Sequence, residues 1–90
     1  MDTQEIVRKL NLRGKSLSKG HRRIAAFITE HSDKAAFMTA VLLGQNCGVS
    51  ESTVVRFATA MGYEGYPELQ AALQELVRQR LTASERFNIA

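Results

Sequence analysis

This chain of 90 residues has little of what most chemistries require. Its one cysteine, Cys47, excludes an internal disulfide, and with only His21 and His31 for company no spacing resembles a zinc site. Tryptophan is missing and Pro67 is the one proline, so Pro-rich linkers are absent, as are internal repeats and low-complexity tracts. No apolar run approaches the length of a membrane span or a secretory signal, which points to the cytoplasm. The glycines are isolated rather than gathered into a phosphate-cradling loop, and the acidic residues are scattered along polar faces. No segment alternates with the period of two that a strand needs. Catalysis, a metal and a cofactor are therefore not expected, and the fold is expected to be all-α.

Hydrophobic residues make up 44% and charged residues 23% of the chain, a balance that suits one modest ordered domain rather than a disordered tail. The net charge of +3 is concentrated at one end, where Arg8, Lys9, Arg13, Lys15, Lys19, Arg22 and Arg23 face only Asp2 and Glu5. Such a segment gathers phosphates, and it is equally what an ordinary solvated face looks like. It lacks the large aromatic face that a membrane-inserting helix carries.

Five to six short helices are expected. Residues 3–13 place Ile6, Val7 and Leu10 together, behind an Asp2-x-x-Glu5 capping pattern and ahead of Gly14. Residues 18–31 follow, with Ser18 as N-cap and Leu17, Ile24, Phe27, Ile28 and His31 on the inward face. A further turn over 33–37 turns Phe37 and Met38 inward. Thr39 to Cys47 forms a helix of about two turns, residues 51–61 form another that stops at Gly62, and Pro67 opens the last, 67–81. Leu69, Leu73, Leu76, Val77 and Leu81 are its apolar stripe.

The segment around Gly48 is the most informative. Two short helices joined steeply by a tight turn need a small residue where the second packs across the first, and Gly44 supplies it. Gly48 admits a positive φ, Ser50 caps the second helix, and Leu43, Cys47, Val49, Val54 and Phe57 face a shared interior. Together these specify a helix-turn-helix in a homeodomain-like three-helix core with flanking helices. The plain alternative is a helical hairpin in which Gly48 is an ordinary stop. Against it stands the outward face, where Ser50, Glu51, Ser52, Thr53, Val55, Arg56, Thr59 and Ala60 let a helix approach double-stranded DNA closely. Ser50 to Thr53 would enter the major groove first, and Arg56 can reach a guanine edge or a phosphate. Glu51 complements its helix dipole or reads cytosine. Thr39, at the start of the first motif helix, together with Lys15, Lys19, Arg22, Arg23 and Lys34, are candidates for phosphate contacts.

Leu17-Ser18 before Ile24-Ala25, then Ala36-Phe37-Met38-Thr39, GVSESTVVRF at 48–57 and MGYEGYPELQ at 61–70 resemble the N-terminal domain of RpiR-type regulators. The resemblance covers about residues 15–80 and implies a small all-helical domain that acts as a homodimer in transcription regulation. It further implies a separate sugar-isomerase-type domain, absent from these residues, that binds a phosphosugar and controls carbohydrate genes. Residues 1–81 would then be the DNA-binding domain and 82–90 the start of a linker. Gly20 and His21 depart from the pattern, as does Leu42, an apolar residue where a polar one is usual. Gly44 replaces a more usual alanine, at a cost in helix propensity of roughly 1 kcal/mol.

The competing reading, from another class, is a helical protein-interaction module that keeps the fold without reading DNA. On the DNA reading, one recognition helix covers only a few base pairs, so specificity requires two copies on a two-fold site. Sedimentation at high concentration should show a dimer; a monomer would assign pairing to the missing domain.

Overall fold

A computed structural model describes residues 8, 9 and 17–89, with side chains assigned up to Leu81. Among the described residues the fold is all-helical: α1 (Lys19–Glu30), α2 (Ser32–Ala35), α3 (Ala40–Cys47), α4 (Glu51–Ala60) and α5 (Tyr66–Ile89). Apart from Arg8 and Lys9, which are helical, the helix expected over 3–13 lies outside the described residues. The Lys9 ammonium stands over the Tyr63 ring, 4.3 Å from its centre.

Three helices begin in the same local way. Ser18, Thr39 and Ser50 each adopt extended backbone angles, and each hydroxyl accepts the amide hydrogen three residues on, from His21, Leu42 and Thr53. A cap of this kind contributes typically ~1 kcal/mol. Lacking a glutamate partner, Ser18 still engages its amide, at 3.3 Å.

Helices α1, α3 and α4 pack on one another, while α5 lies against α2 and α4. Ile24, Ile28, Leu43, Val54, Phe57, Met61, Leu69 and Leu73 are fully buried at their junction. The connection between α2 and α3 is held from outside by a row of side chains on α5 at four-residue spacing. Tyr66 Oη and Gln70 Nε2 donate to the Met38 carbonyl at 2.6 and 3.0 Å, and Gln74 Nε2 donates to the Ala36 carbonyl at 3.1 Å. Arg80 then donates to the buried Ser32 hydroxyl at 2.7 Å. Burial, and next the neighbouring Cys47, push the Tyr66 hydroxyl above its ordinary pKa, so it stays protonated and donates.

Two apolar residues assigned inward point outward. Phe37 is 69% exposed, because the carbonyls on either side of it are tied to α5 and the inward positions are taken by Ala35 and Ala36. Leu81 is 60% exposed, because it lies beyond Arg80, where α5 has outrun the helices it packs against. The helix itself does not stop at residue 81 but continues to Ile89. Met38 and Val77 are partly buried, as the inward assignments of both require.

The turn between α3 and α4 is the tightest feature. Gly48 adopts φ 73° and ψ 33°, a left-handed conformation that costs other residues about 1–2 kcal/mol, and the amides of Gly48 and Val49 both donate to the Gly44 carbonyl. Gly44 itself is a matter of space. A Cβ there would stand 2.7 Å from the Val49 carbonyl oxygen and 3.3 Å from that of Ser50, both backbone atoms of the turn. In this turn a Cβ at Gly44 would force the Val49 carbonyl to shift, so the alanine usual in the family could be accommodated here only by moving backbone. Gly44→Ala should lower stability by about 1–3 kcal/mol through overpacking, outweighing its gain in helix propensity. Gly20→Ala meets only ordinary contacts, at 3.4 Å from Thr53 Cγ2 and 3.5 Å from Val49 Cγ1, and should be neutral or stabilising by up to ~1 kcal/mol. Thermal melts of the two variants check the assignment, with the midpoint of Gly44→Ala falling and that of Gly20→Ala not falling.

Candidate nucleic-acid interface

Helix α4 turns Val54, Phe57 and Ala58 into the core, which leaves Ser50, Glu51, Ser52, Val55, Arg56, Thr59 and Ala60 exposed and Thr53 partly buried. Its polar residues form a connected set. Ser50 Oγ, already the acceptor for the Thr53 amide, lies 2.9 Å from Thr53 Oγ1 and 3.1 Å from Ser52 Oγ. Thr53 Oγ1 in turn accepts from Arg56 Nη2 at 3.3 Å. One turn of helix thus joins the cap to the guanidinium. A side chain held in this way before contact loses less rotamer freedom on binding, where an unrestrained one costs about 0.5–1.5 kcal/mol. The guanidinium keeps further donors for a planar acceptor.

The remaining candidates divide. Thr59 directs its hydroxyl to the Val55 carbonyl at 3.3 Å, so it is occupied within its own helix. Glu51 stands in the first turn of α4, where a carboxylate complements the positive end of the helix dipole. Lys19, Arg22 and Arg23 are exposed on α1, and Thr39 is exposed at the start of α3. Arg23 reaches the turn, its Nη1 being 3.7 Å from the position a Cβ of Gly48 would take. The Gly20 backbone beside Lys19 abuts Thr53 and Val49, so the basic end of α1 adjoins the start of α4. Arg22 is exposed on α1 and Lys34 on α2, and Lys15 lies outside the described residues.

One residue of this neighbourhood was not singled out from the sequence. His21 sets its ring edge-on to Phe57, with centroids 5.6 Å apart and planes at 80°. Burial, and next the Arg56 charge, hold its pKa below the ordinary histidine value. Its place one turn before Ile24 and Ala25 is the signal that put it at the edge of the inward face.

Cys47 is partly buried, and burial raises its thiol pKa, so it remains a thiol at neutral pH and packs as a small core side chain. Among the described residues no group of three or more histidine, cysteine, aspartate or glutamate side chains is placed to hold a metal ion. No described helix is long and apolar enough to cross a membrane.

The model of a family described as a helix-turn-helix domain, rpiR family, matches residues 4–80. The chain is 33% identical over 67 residues to an uncharacterized HTH-type transcriptional regulator, YfhH, of Escherichia coli strain K12, over 74% of this chain and 24% of that protein. It is 32% identical over 72 residues to the HTH-type transcriptional regulator HexR of Pseudomonas aeruginosa, over 80% of this chain and 25% of that one. The chain thus spans about a quarter of the length of these two relatives. No solved structure matches.

The depressed pKa of His21 makes stability depend on pH with a defined sign. The unfolded chain takes the proton more readily than the folded one, so the contribution is full above about pH 6.5 and is lost as pH falls toward the folded value. His21→Gln should lose less thermal stability than the parent between pH 7.5 and 5.5, measured by circular dichroism. An identical loss in both would place the titration elsewhere.

Proposed function

This chain belongs to the rpiR family of helix-turn-helix domains found in transcriptional regulators, and from that premise we propose that α4 is a recognition helix that reads double-stranded DNA in the major groove. The observation that carries the reading is the bonded set Ser50, Ser52, Thr53 and Arg56 on the exposed face of α4. Short hydroxylated side chains let the helix approach base edges, and the single guanidinium is oriented toward a guanine or a phosphate. Lys19 and Arg23, beside the start of α4 and the turn, are suited to position the domain on the backbone, with Thr39 and its helix start as a second grip.

Two copies on a two-fold site supply the specificity that one helix cannot. Phe37, Val41 and Leu42, apolar and exposed within six residues of one another, offer surface for self-association. Family membership supports targets among carbohydrate-metabolism genes in the cytoplasm, with a phosphosugar acting through a separate sugar-isomerase-type domain. HexR is a transcriptional regulator by name, which accords with this reading.

Selecting sites from random DNA with this chain supplies the duplex for the test. Arg56→Ala should weaken binding to the selected site by about 1–3 kcal/mol and relax its sequence preference. Thermal stability should hold, since Arg56 is exposed and its bond to Thr53 lies within its own helix turn. Unchanged selectivity in the variant, or no salt-sensitive DNA binding by the parent chain, would sink the reading and favour a protein-interaction module.

A further inference from the structure

His21 belongs to the same cluster as the proposed reading residues although it lies on a different helix. Its backbone amide is fixed by the Ser18 cap, and its ring packs nearly perpendicular to that of Phe57, the residue that follows Arg56 in α4. Its neighbour Gly20 carries no side chain to separate α1 from α4, and the Cβ that Gly20 lacks would fall against Thr53 and Val49. The residue is only partly buried, and the Arg56 charge acts on its imidazole.

Among the described residues, the charge that acts on the imidazole is that of Arg56. On its own helix Lys19, Arg22 and Arg23 surround it in sequence, with Glu30 at the opposite end of α1. From α4 come Arg56, whose charge acts on the imidazole, and Glu51 in the first turn. From α3 the one ionisable side chain is Cys47, a thiol at neutral pH. Asp33 and Lys34 of α2 follow the far end of α1. In the free domain a second positive charge next to Arg56 is therefore disfavoured, and a polyanion brought against the same face removes that penalty.

We propose that His21 is a DNA-phosphate contact that takes up a proton as the duplex binds. The inference rests on the DNA reading of α4. Neutral histidine offers the phosphate at most one N–H donor, whereas the imidazolium offers two together with a charge. Proton uptake makes affinity rise as pH falls through the interval between the free and bound pKa values. Outside that interval affinity is independent of this group. In the bound state His21 grips a phosphate from α1 beside the reading helix α4, and acidification strengthens that grip by adding its charge.

The test is the binding of this chain to mixed-sequence duplex DNA carrying a pH-insensitive rhodamine label, at constant ionic strength, from pH 5.5 to 8. Between pH 7.5 and 5.5 the parent chain should gain several-fold in affinity, up to the limit of about tenfold per pH unit that one proton allows. His21→Gln should lose most of that gain and bind more weakly than the parent at pH 5.5. His21→Lys should bind more tightly at pH 7.5 and be flat with pH, while His31→Gln should keep the parental slope. Circular dichroism of each variant establishes that it is folded. Calorimetry in buffers of different ionisation enthalpy should register proton uptake by the parent and not by His21→Gln. A pH slope that survives in folded His21→Gln overturns the inference and leaves the recognition helix standing, whereas no DNA binding at any pH overturns both.

Discussion

The distance between Gly44 and the Val49 carbonyl governs the geometry of the whole interface. With only a hydrogen at Gly44, the chain leaving α3 folds back tightly enough for the Val49 carbonyl oxygen to lie 2.7 Å from where a Cβ would be. The left-handed Gly48 makes the reversal possible, and the two amides converging on the Gly44 carbonyl hold it. The angle between α3 and α4 follows from this contact, and with it which residues of α4 meet the core. Val54, Phe57 and Ala58 go inward, and the positions between them become the polar surface.

The rest of the fold keeps that surface steady. Helix α1 closes the third side of the core through Ile24 and Ile28 while presenting its basic first turns next to the start of α4. Helix α5 adds Leu69, Leu73 and Leu76 from below and secures the α2–α3 connection through carbonyls that have no helical partner of their own. These carbonyls are partly buried, so pairing them avoids part of the penalty of about 1–3 kcal/mol for a buried group left unsatisfied. The start of α3 is thereby positioned independently of the turn that ends it.

What could be read from the residues was largely local. Ser18, Thr39 and Ser50 announce helix starts because a cap needs only its own amide three residues on, and Gly48 announces the turn because its backbone angles are its own. The inward faces of α1 and α4 follow from helical periodicity. Periodicity misplaced Phe37 and Leu81, whose environments depend on where α5 is tied and where its partners end. The same limit hid His21: nothing local shows that its ring meets Phe57, thirty-six positions away in the chain. Gly44 was recognised as a small residue for a close approach, but the closeness that makes alanine too large is a property of the folded turn.

Helix α5 is anchored as far as Arg80 and runs on to Ile89. A continuous helix is stiff against twisting as well as bending, and each residue advances it about 1.5 Å and turns it about 100°. The stretch beyond Arg80 therefore acts as a crankshaft with a fixed phase. Its bearing relative to α4 is set by residue count alone, so that one inserted or deleted residue would rotate its far end by more than a quarter turn while leaving every contact of the core in place.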